Sequence, residues 1–532
     1  MRKRMLRWLA GGLTVILLLS SCGNGSEISQ TADGGKGTAG AEGTEGGAAT
    51  SKERLIVASS TDPGTMNPYD SGDMFTRRLS HSVLEQLFRA DEDLEMVPEL
   101  VESYEFAEDN LSVTLHLRKN VLFHNGEEMK AEDVLYSFDC MRKGPNASAL
   151  SYLDWDNIRA EDDYTVVVPT QYVVGPLLAG LSEIVVVNKK AMEEAGSQAG
   201  LGMVGTGPFC YSEWVSGDHL TLTRFADYWG EKPALSEIIF RFISEPSVAM
   251  IELETGGVDL VLDPQGTDVQ KLMEEGEAAG YGLYVGTGVF NNYIGFNCSK
   301  APFDDLKVRQ AVAHAIDREA IVAAAYEGIG WPANSIVSSG AWGYNPDVPD
   351  YSYDPEQAKA MLAEAGYGDG MTISLCIDDK ATRVATAEQL VNMLAAVGIT
   401  LQVQSYDFST YSDLISNTND YDCYLRGVVF GADPGSQLIY NGASEGHLGG
   451  MNAAKTEGIP EAEEFDRLVN QALATTDDDE RKKLYQEAQT VFMENVFQFH
   501  IQTNPEVAVY VPELKGYWKA GAQDYLPGIY FE

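Results

Sequence analysis

Apolar positions along this chain follow two rhythms, and the switches between them mark its elements. Arg54 to Ser60 is a nearly continuous apolar run closed by Thr61-Asp62-Pro63-Gly64, which predicts a buried strand and a turn. Leu79, Val83, Leu84, Leu87 and Phe88 fall at helical spacing. Val113, Leu115 and Leu117 alternate with Ser112, Thr114, His116 and Arg118, the mark of a half-buried strand. Asn125-Gly126 reads as a tight turn, and Ala131 to Phe138 as a helix with Glu132 and Asp133 at the positive end of its dipole. In the second half, Val308, Val312, Ala315 and Ile316 share one face of a helix predicted over Asp305 to Tyr326. Asp354-Pro355 opens a further helix and Gly366 closes it. Met371 to Ile377 reads as a strand, Thr382 to Val397 as a helix ended by Gly398, and Ile399 to Val403 as another strand. Such alternation implies an α/β architecture, an open parallel or mixed sheet covered by helices. Two α/β lobes facing a cleft place a ligand at the strand ends between them.

The N-terminus departs from these rhythms. Arg2, Lys3, Arg4 and Arg7 precede an apolar stretch, Leu9 to Leu19, too short to span a bilayer. Leu19-Ser20-Ser21-Cys22 follows and resembles the lipobox of bacterial lipoproteins. On that reading residues 1–21 are a signal peptide, Cys22 is acylated, and the chain sits outside the membrane on lipid. Gly23 to Ser51 holds nine glycines and one large apolar residue, Ile28, so residues 22–51 read as a flexible tether with no fold of their own. Its root-mean-square reach is roughly 30 Å.

Composition narrows the functional classes. The length beyond the tether exceeds what one hydrophobic core serves, so two or more lobes are expected. The chain has 80 acidic and 37 basic side chains, a net charge of −43, and that field disfavours nucleic acid. Beyond Cys22, the thiols Cys140, Cys210, Cys298, Cys376 and Cys423 are scattered with no C-x-x-C pair, which argues against a disulfide framework or a thiolate metal site. The histidines show no ligand spacing, and H-E-x-x-H does not occur. Gly200-Leu201-Gly202-Met203-Val204-Gly205 matches G-x-G-x-x-G but lacks the preceding strand and following helix that a dinucleotide site needs. No enzyme, cofactor or metal is expected.

Three ordered segments carry a resemblance. The first runs from Val97-Pro98-Glu99-Leu100-Val101-Glu102-Ser103-Tyr104 through Leu115 to Gly126 and Ala131-Glu132-Asp133-Val134. The second is Gly205-Thr206-Gly207-Pro208-Phe209 with Asp227-Tyr228-Trp229. The third is Val308-Arg309-Gln310-Ala311, Ala315-Ile316-Asp317-Arg318, and Asp354-Pro355 to Ala365-Gly366-Tyr367. Together, behind a lipobox, they resemble the family 5 extracellular solute-binding proteins of ABC importers, the oligopeptide-, dipeptide- and nickel-binding type. The resemblance implies a periplasmic-binding-protein-like, three-lobed clamp with two crossover segments. Lobe I would comprise 52–94, 204–296 and 505–532, lobe II 95–203 and lobe III 297–504, with crossovers near Phe296-Asn297 and Asn504-Pro505. Gly205 and Gly207 read as sites of unusual backbone angles, and Asp317-Arg318 as a structural ion pair.

The same resemblance implies a peptide ligand held extended between lobes by backbone pairing. It also implies a buried aspartate that answers the ligand's ammonium. In the run Tyr421 to Pro434, Asp433 is the candidate for that role, with a structural loop cap as its alternative. Arg426, Gly427, Val428, Val429 and Phe430 form the candidate strand edge, and Val428 stands where relatives carry tryptophan. Met74 and Phe75 match the region lining the cleft from lobe I. Trp331 and Trp342 are candidate aromatic walls, with core packing as the other reading. An oligosaccharide, a glutathione-like molecule or a metal chelate remains an alternative ligand. The expected partners are ABC permease subunits with cytoplasmic ATPases, and the protein itself is expected to be monomeric.

Overall fold

A computed structural model describes residues 52–70, 76, 81–92, 94–196, 203–444, 453–520 and 523–532. The expected positions Cys22, Met74 and Phe75 lie outside these residues. Eleven strands join in one sheet. In chain order they are β1 (Arg54–Ser59), β2 (Phe209–Val215), β3 (His219–Arg224), β4 (Glu237–Phe242), β5 (Leu260–Val261) and β6 (Gly282–Phe296). They continue as β7 (Trp331–Pro332), β8 (Met371–Asp378), β9 (Ile399–Tyr406), β10 (Cys423–Val429) and β11 (Gln498–Tyr510). The order across the sheet is β9-β8-β10-β6-β11-β5-β1-β4-β3-β2, with β7 paired to β11. β1 runs parallel to β4 and β5, and β8 parallel to β9 and β10, while the other pairs are antiparallel. The sheet is therefore mixed, as the alternation of helices and strands predicts.

Two strands tie the molecule together. β6 and β11 span 15 and 13 residues and pair antiparallel along most of their length. Their ladder is interrupted between Gly286 and Phe290. There Gly288 lies so near the Asn504 carbonyl that a Cβ would overlap its oxygen, which leaves glycine as the residue that fits. On one side of the interruption, Tyr284 and Tyr510 pack against a core drawn from Leu55 to Leu262 and from Ala508 to Phe531. On the other, Val289 opens a second core that reaches Ile501. A separate four-stranded antiparallel sheet (101–106, 112–117, 159–162 and 165–169) adds its inner face to the first core, and Val113, Leu115 and Leu117 are buried there.

Helices cover the second core. They include α1 (Leu306–His314), α2 (Arg318–Ala325), α3 (Ala381–Ala396), α4 (Gly435–Gly442), α5 (Pro460–Leu473) and α6 (Asp478–Glu494). The single helix expected over Asp305 to Tyr326 is two helices, because Asp317 caps α2 by accepting from the Ala320 N–H. Asp317 and Arg318 are not an ion pair. Arg318 instead bonds Asp350 and the His500 carbonyl. The helical spacing from Leu79 to Phe88 also misleads. Leu79 lies outside the described residues, whereas Gln86 bridges Val185 and Phe88 begins a short strand, since pairing with distant segments overrides local periodicity. Gly205 lacks a positive φ; its small size lets it pass the Val83 carbonyl.

Candidate functional site

The geometry of interest is at β10. It pairs with β6 along its whole length, Phe290 opposite Val429 through Phe296 opposite Cys423. Its other edge pairs with β8 only at Cys423 and Tyr424. From Leu425 to Val429 that edge has no strand partner among the described residues. Side chains alternate across a strand, so Tyr424, Arg426 and Val428 share one face and Leu425, Gly427 and Val429 the other. Phe430 follows the strand, buried, with its N–H donating to the Val289 carbonyl at 2.8 Å. Val428 is buried while Val429 is 44% exposed.

An arginine stands on each face of this edge. Arg383 on α3 reaches over Gly427, where a Cβ would overlap the Phe290 ring and lie 2.8 Å from Arg383 Nη2. Arg383 Nη1 donates to Asn292 Oδ1 at 2.5 Å, and Asn292 sits opposite Gly427. Arg383 Nε is 3.8 Å from Asp378 Oδ1, and neither atom has a hydrogen-bond partner. On the other face, the half-buried Arg426 holds its guanidinium 5.6 Å over the Tyr440 ring of α4. Its strand partner is Tyr293. Arg426 Nη1 is buried without a hydrogen-bond partner.

Asp433 lies in a different setting. Its carboxylate accepts from Arg481 Nε at 3.0 Å, Tyr485 Oη at 2.8 Å and the Gly435 N–H at 2.8 Å. Asp433 and Arg481 side chains are 7% and 8% exposed. Burial pushes the Asp433 carboxyl above its ordinary range even though Arg481 pulls it down. Both oxygens are thus committed within the protein, in the manner of a loop cap. Arg481 also donates to the Gly175 carbonyl at 3.4 Å and stacks on Trp342, 4.9 Å from its ring centre. Gly175 is flanked by Val174 and Leu177 of the first core, so Arg481 joins the two cores. Trp342 does the same. It is buried, its Nε1 donates to Glu95 Oε1 at 3.1 Å, and it borders a cavity of about 340 Å³ with Tyr284, Lys482 and Lys519. Trp331 donates to Ser339 Oγ at 3.1 Å and borders a smaller cavity, about 270 Å³, with Asn291, Arg318 and Thr503.

A larger cavity, about 690 Å³, belongs to the first core, and two of its carboxylates, Glu85 and Glu99, already have partners. Glu85 accepts from Tyr228 Oη and Trp229 Nε1, each at 2.7 Å. Glu99 accepts from the Gln86 N–H at 2.6 Å. Burial raises Glu85 to about 7. Burial and the neighbouring Glu85 charge raise Glu99 to about 8.

The sequence reading did not single out Arg383 or Arg481. A signal for Arg383 existed. It precedes Thr386, Ala387, Leu390 and Leu394 at helical spacing, so it occupies a position on the buried stripe of α3. Among the described residues no cluster of three or more His, Cys, Asp or Glu could hold a metal, and no helix is long and apolar enough to cross a membrane.

Comparison with known proteins gives the architecture a family. The chain is 29% identical over 457 residues to the dipeptide-binding protein of Escherichia coli (strain K12), covering 80% of this chain and 84% of that one. HbpA2 from Haemophilus parasuis superposes with a TM-score of 0.81 at 24% identity, over 90% of this chain and all of that one. The dipeptide-binding protein from Pseudoalteromonas sp. SM9913 in complex with Met-Leu superposes with a TM-score of 0.69 at 25% identity, over 90% and 100%. Residues 95–449 match the family described as bacterial extracellular solute-binding proteins, family 5 Middle. A fold of two cores tied by β6 and β11, together with that match, makes this chain a member of the family 5 extracellular solute-binding proteins, a family of solute binders rather than of enzymes.

Proposed function

We propose that the protein is the peptide-capturing component of an ABC importer, monomeric and held at the outer face of the membrane by lipid on Cys22. The observation that carries the peptide reading is the edge of β10 from Leu425 to Val429, which has no strand partner among the described residues and of which the Leu425 carbonyl alone is taken, by Tyr411 Oη. An unpaired edge next to a fully paired strand offers backbone donors and acceptors in register, and an extended peptide fills them as an added strand, independent of most of its side chains. The dipeptide-binding relatives support the same ligand class. In this reading lobe I (52–94, 204–296, 505–532, of which 289–296 pack in the second core) and lobe II (95–203) close against lobe III (297–504), with Trp331 and Trp342 as walls. The loaded form then docks on permease subunits driven by cytoplasmic ATPases. The tether of residues 22–51 lets the clamp reach them without leaving the membrane.

Thermal shift of the purified protein tests the ligand class. A ligand that binds only the folded state raises the melting temperature by mass action, about 2.7 kcal/mol of stabilisation at one hundred times Kd. Dipeptides such as Met-Leu, or glutathione, are expected to raise it. A rise with β-linked oligosaccharides and with no peptide overturns the peptide assignment.

A further inference from the structure

The cavity of about 690 Å³ in the first core lies apart from β10. Its lining residues fall within 81–118, 208–234 and 518–530, and none of them belongs to the second core. Two short strands, Trp518–Ala520 and Gln523–Tyr525, pair beside it with Trp518 opposite Tyr525, and these two rings stack at 4.6 Å. The charges in its wall come in both signs and are set against the protein's own groups. Arg118 lies 5.1 Å from the Trp229 ring centre and Arg89 6.0 Å from that of Tyr525. Glu85 is filled by Tyr228 and Trp229, and the buried Asp524 accepts from Tyr517 Oη. The exposed Glu231 and Lys232 add one charge of each sign. Hydrogen-bonding capacity remains all the same. Ser82 Oγ is buried without a hydrogen-bond partner, and Glu99 Oε1 stands 3.8 Å from Arg89 Nε, beyond hydrogen-bond reach. Arg118 donates from Nε to the Glu99 carbonyl and makes no further hydrogen bond among the described residues.

We propose that this cavity is a second binding site, separate from the clamp, for a neutral sugar of one or two rings. The inference goes beyond the peptide reading and does not depend on it. A volume of about 690 Å³ falls among the roughly 300–1,000 Å³ of small-molecule sites. A charged ligand would meet a like charge there whichever its sign, and its desolvation would be poorly compensated. A neutral polyhydroxyl ring has no such cost. Its apolar C–H face suits the ring surface of Trp518 and of Tyr530, which is 42% exposed. Its hydroxyls each donate and accept, which matches the acceptor at Glu99 Oε1, the donors of Arg118 and the hydroxyl of Ser82. A buried hydroxyl left alone costs free energy, and a ligand hydroxyl at Ser82 removes that cost.

Titration calorimetry reads the site with glucose, N-acetylglucosamine, maltose and cellobiose, each with and without Met-Leu in excess. At least one sugar is expected to bind, with an affinity that changes less than threefold when Met-Leu is present. Trp518→Ala is expected to weaken that sugar at least tenfold. Ser82→Ala removes an unpartnered hydroxyl, so it should weaken the sugar severalfold and leave the melting temperature of the free protein unchanged or raised. This second variant keeps the test intact if Trp518→Ala does not fold. Binding of none of these sugars overturns the proposal and leaves the cavity to water. Sugar binding that Met-Leu displaces also overturns it, because the sugar then occupies the clamp, as does sugar binding unchanged in both variants. If Met-Leu fails to bind while a sugar binds and depends on Trp518 and Ser82, the peptide reading falls and the second site stands.

Discussion

Arg481 and Arg426 belong to the same core and are in opposite states. Arg481 has a buried carboxylate, an aromatic face and two backbone carbonyls around it. Arg426 has one aromatic face and no carboxylate within ion-pairing reach among the described residues. A complete buried pair holds structure in place, because removing either member leaves the other desolvated and alone. An incomplete one leaves binding free energy for something that arrives later. The difference separates a loop that the fold has finished with from an edge that it leaves open, although both lie within one short run of sequence.

Several experiments bear on that difference, the strongest first. Asp433→Ala leaves Arg481 with the exposed Asp478 as its one acid partner among the described residues. A loss of roughly 3 kcal/mol in urea denaturation is expected. An unchanged stability would show that Arg481 is not held by this pair.

The Glu85–Glu99 network of the first core is a third buried setting, in which two carboxyls lie close together and burial opposes their charged forms. Both groups keep their protons in the folded chain, up to about 7 and about 8, at pH values where the unfolded chain has lost them. Their stabilising share is therefore complete below about pH 4.5 and is lost as pH rises through 7 and 8. His500, buried and lowered to about 3, and His124, lowered to about 4, act in the opposite direction and only below about pH 6.5. Between pH 6.5 and 8.5 stability is thus expected to fall by roughly 2–3 kcal/mol. The double variant Glu85→Gln, Glu99→Gln should flatten that fall. A slope that persists in the variant would place its source elsewhere.

Gly175→Ala tests whether Arg481 joins the two cores. A Cβ there would overlap the Thr475 carbonyl oxygen and disturb the Gly175 N–H bond to the Leu473 carbonyl. Overpacking of this kind costs about 1–3 kcal/mol. It is expected to weaken ligand binding more than it lowers the denaturation midpoint of either core, as read by hydrogen exchange. Trp342→Phe makes the smallest change. It removes one hydrogen bond to Glu95 and keeps most of the ring, for about 1 kcal/mol. A larger loss would mean that Trp342 itself anchors the contact.

The sequence made some of this readable and hid the rest, for physical reasons. The strands at Arg54, Ser112 and Met371 and the Asp354-Pro355 helix start are local: burial alternation and capping are written in adjacent residues. The Asp317 cap escaped notice because the apolar stripe continues across the break between α1 and α2, so periodicity alone reports one helix. Phe88 became a strand because distant segments supply its backbone partners, as where the Leu87 N–H bonds the Ile184 carbonyl. At the candidate site, the run from Tyr421 to Pro434 named the right stretch to inspect. The partner of Asp433 lies 48 residues further on in α6, and that pairing is a product of tertiary packing with no local signature. The same holds for Arg383, whose meaning depends on the absence of a side chain at Gly427.

The paired β6 and β11 set the mechanics of the whole molecule. A connection made of two ladder-bonded strands resists stretching and sideways slip, because either would break several backbone hydrogen bonds at once. Twisting about its own length costs far less, and the interruption between Gly286 and Phe290 is where the ladder offers least resistance. Turning one core relative to the other therefore works against this bar and against the Arg481–Gly175, Gly175–Leu473 and Trp342–Glu95 bonds that also join them. A ligand that bridges the cores shifts the balance between those bonds and the twist of the bar.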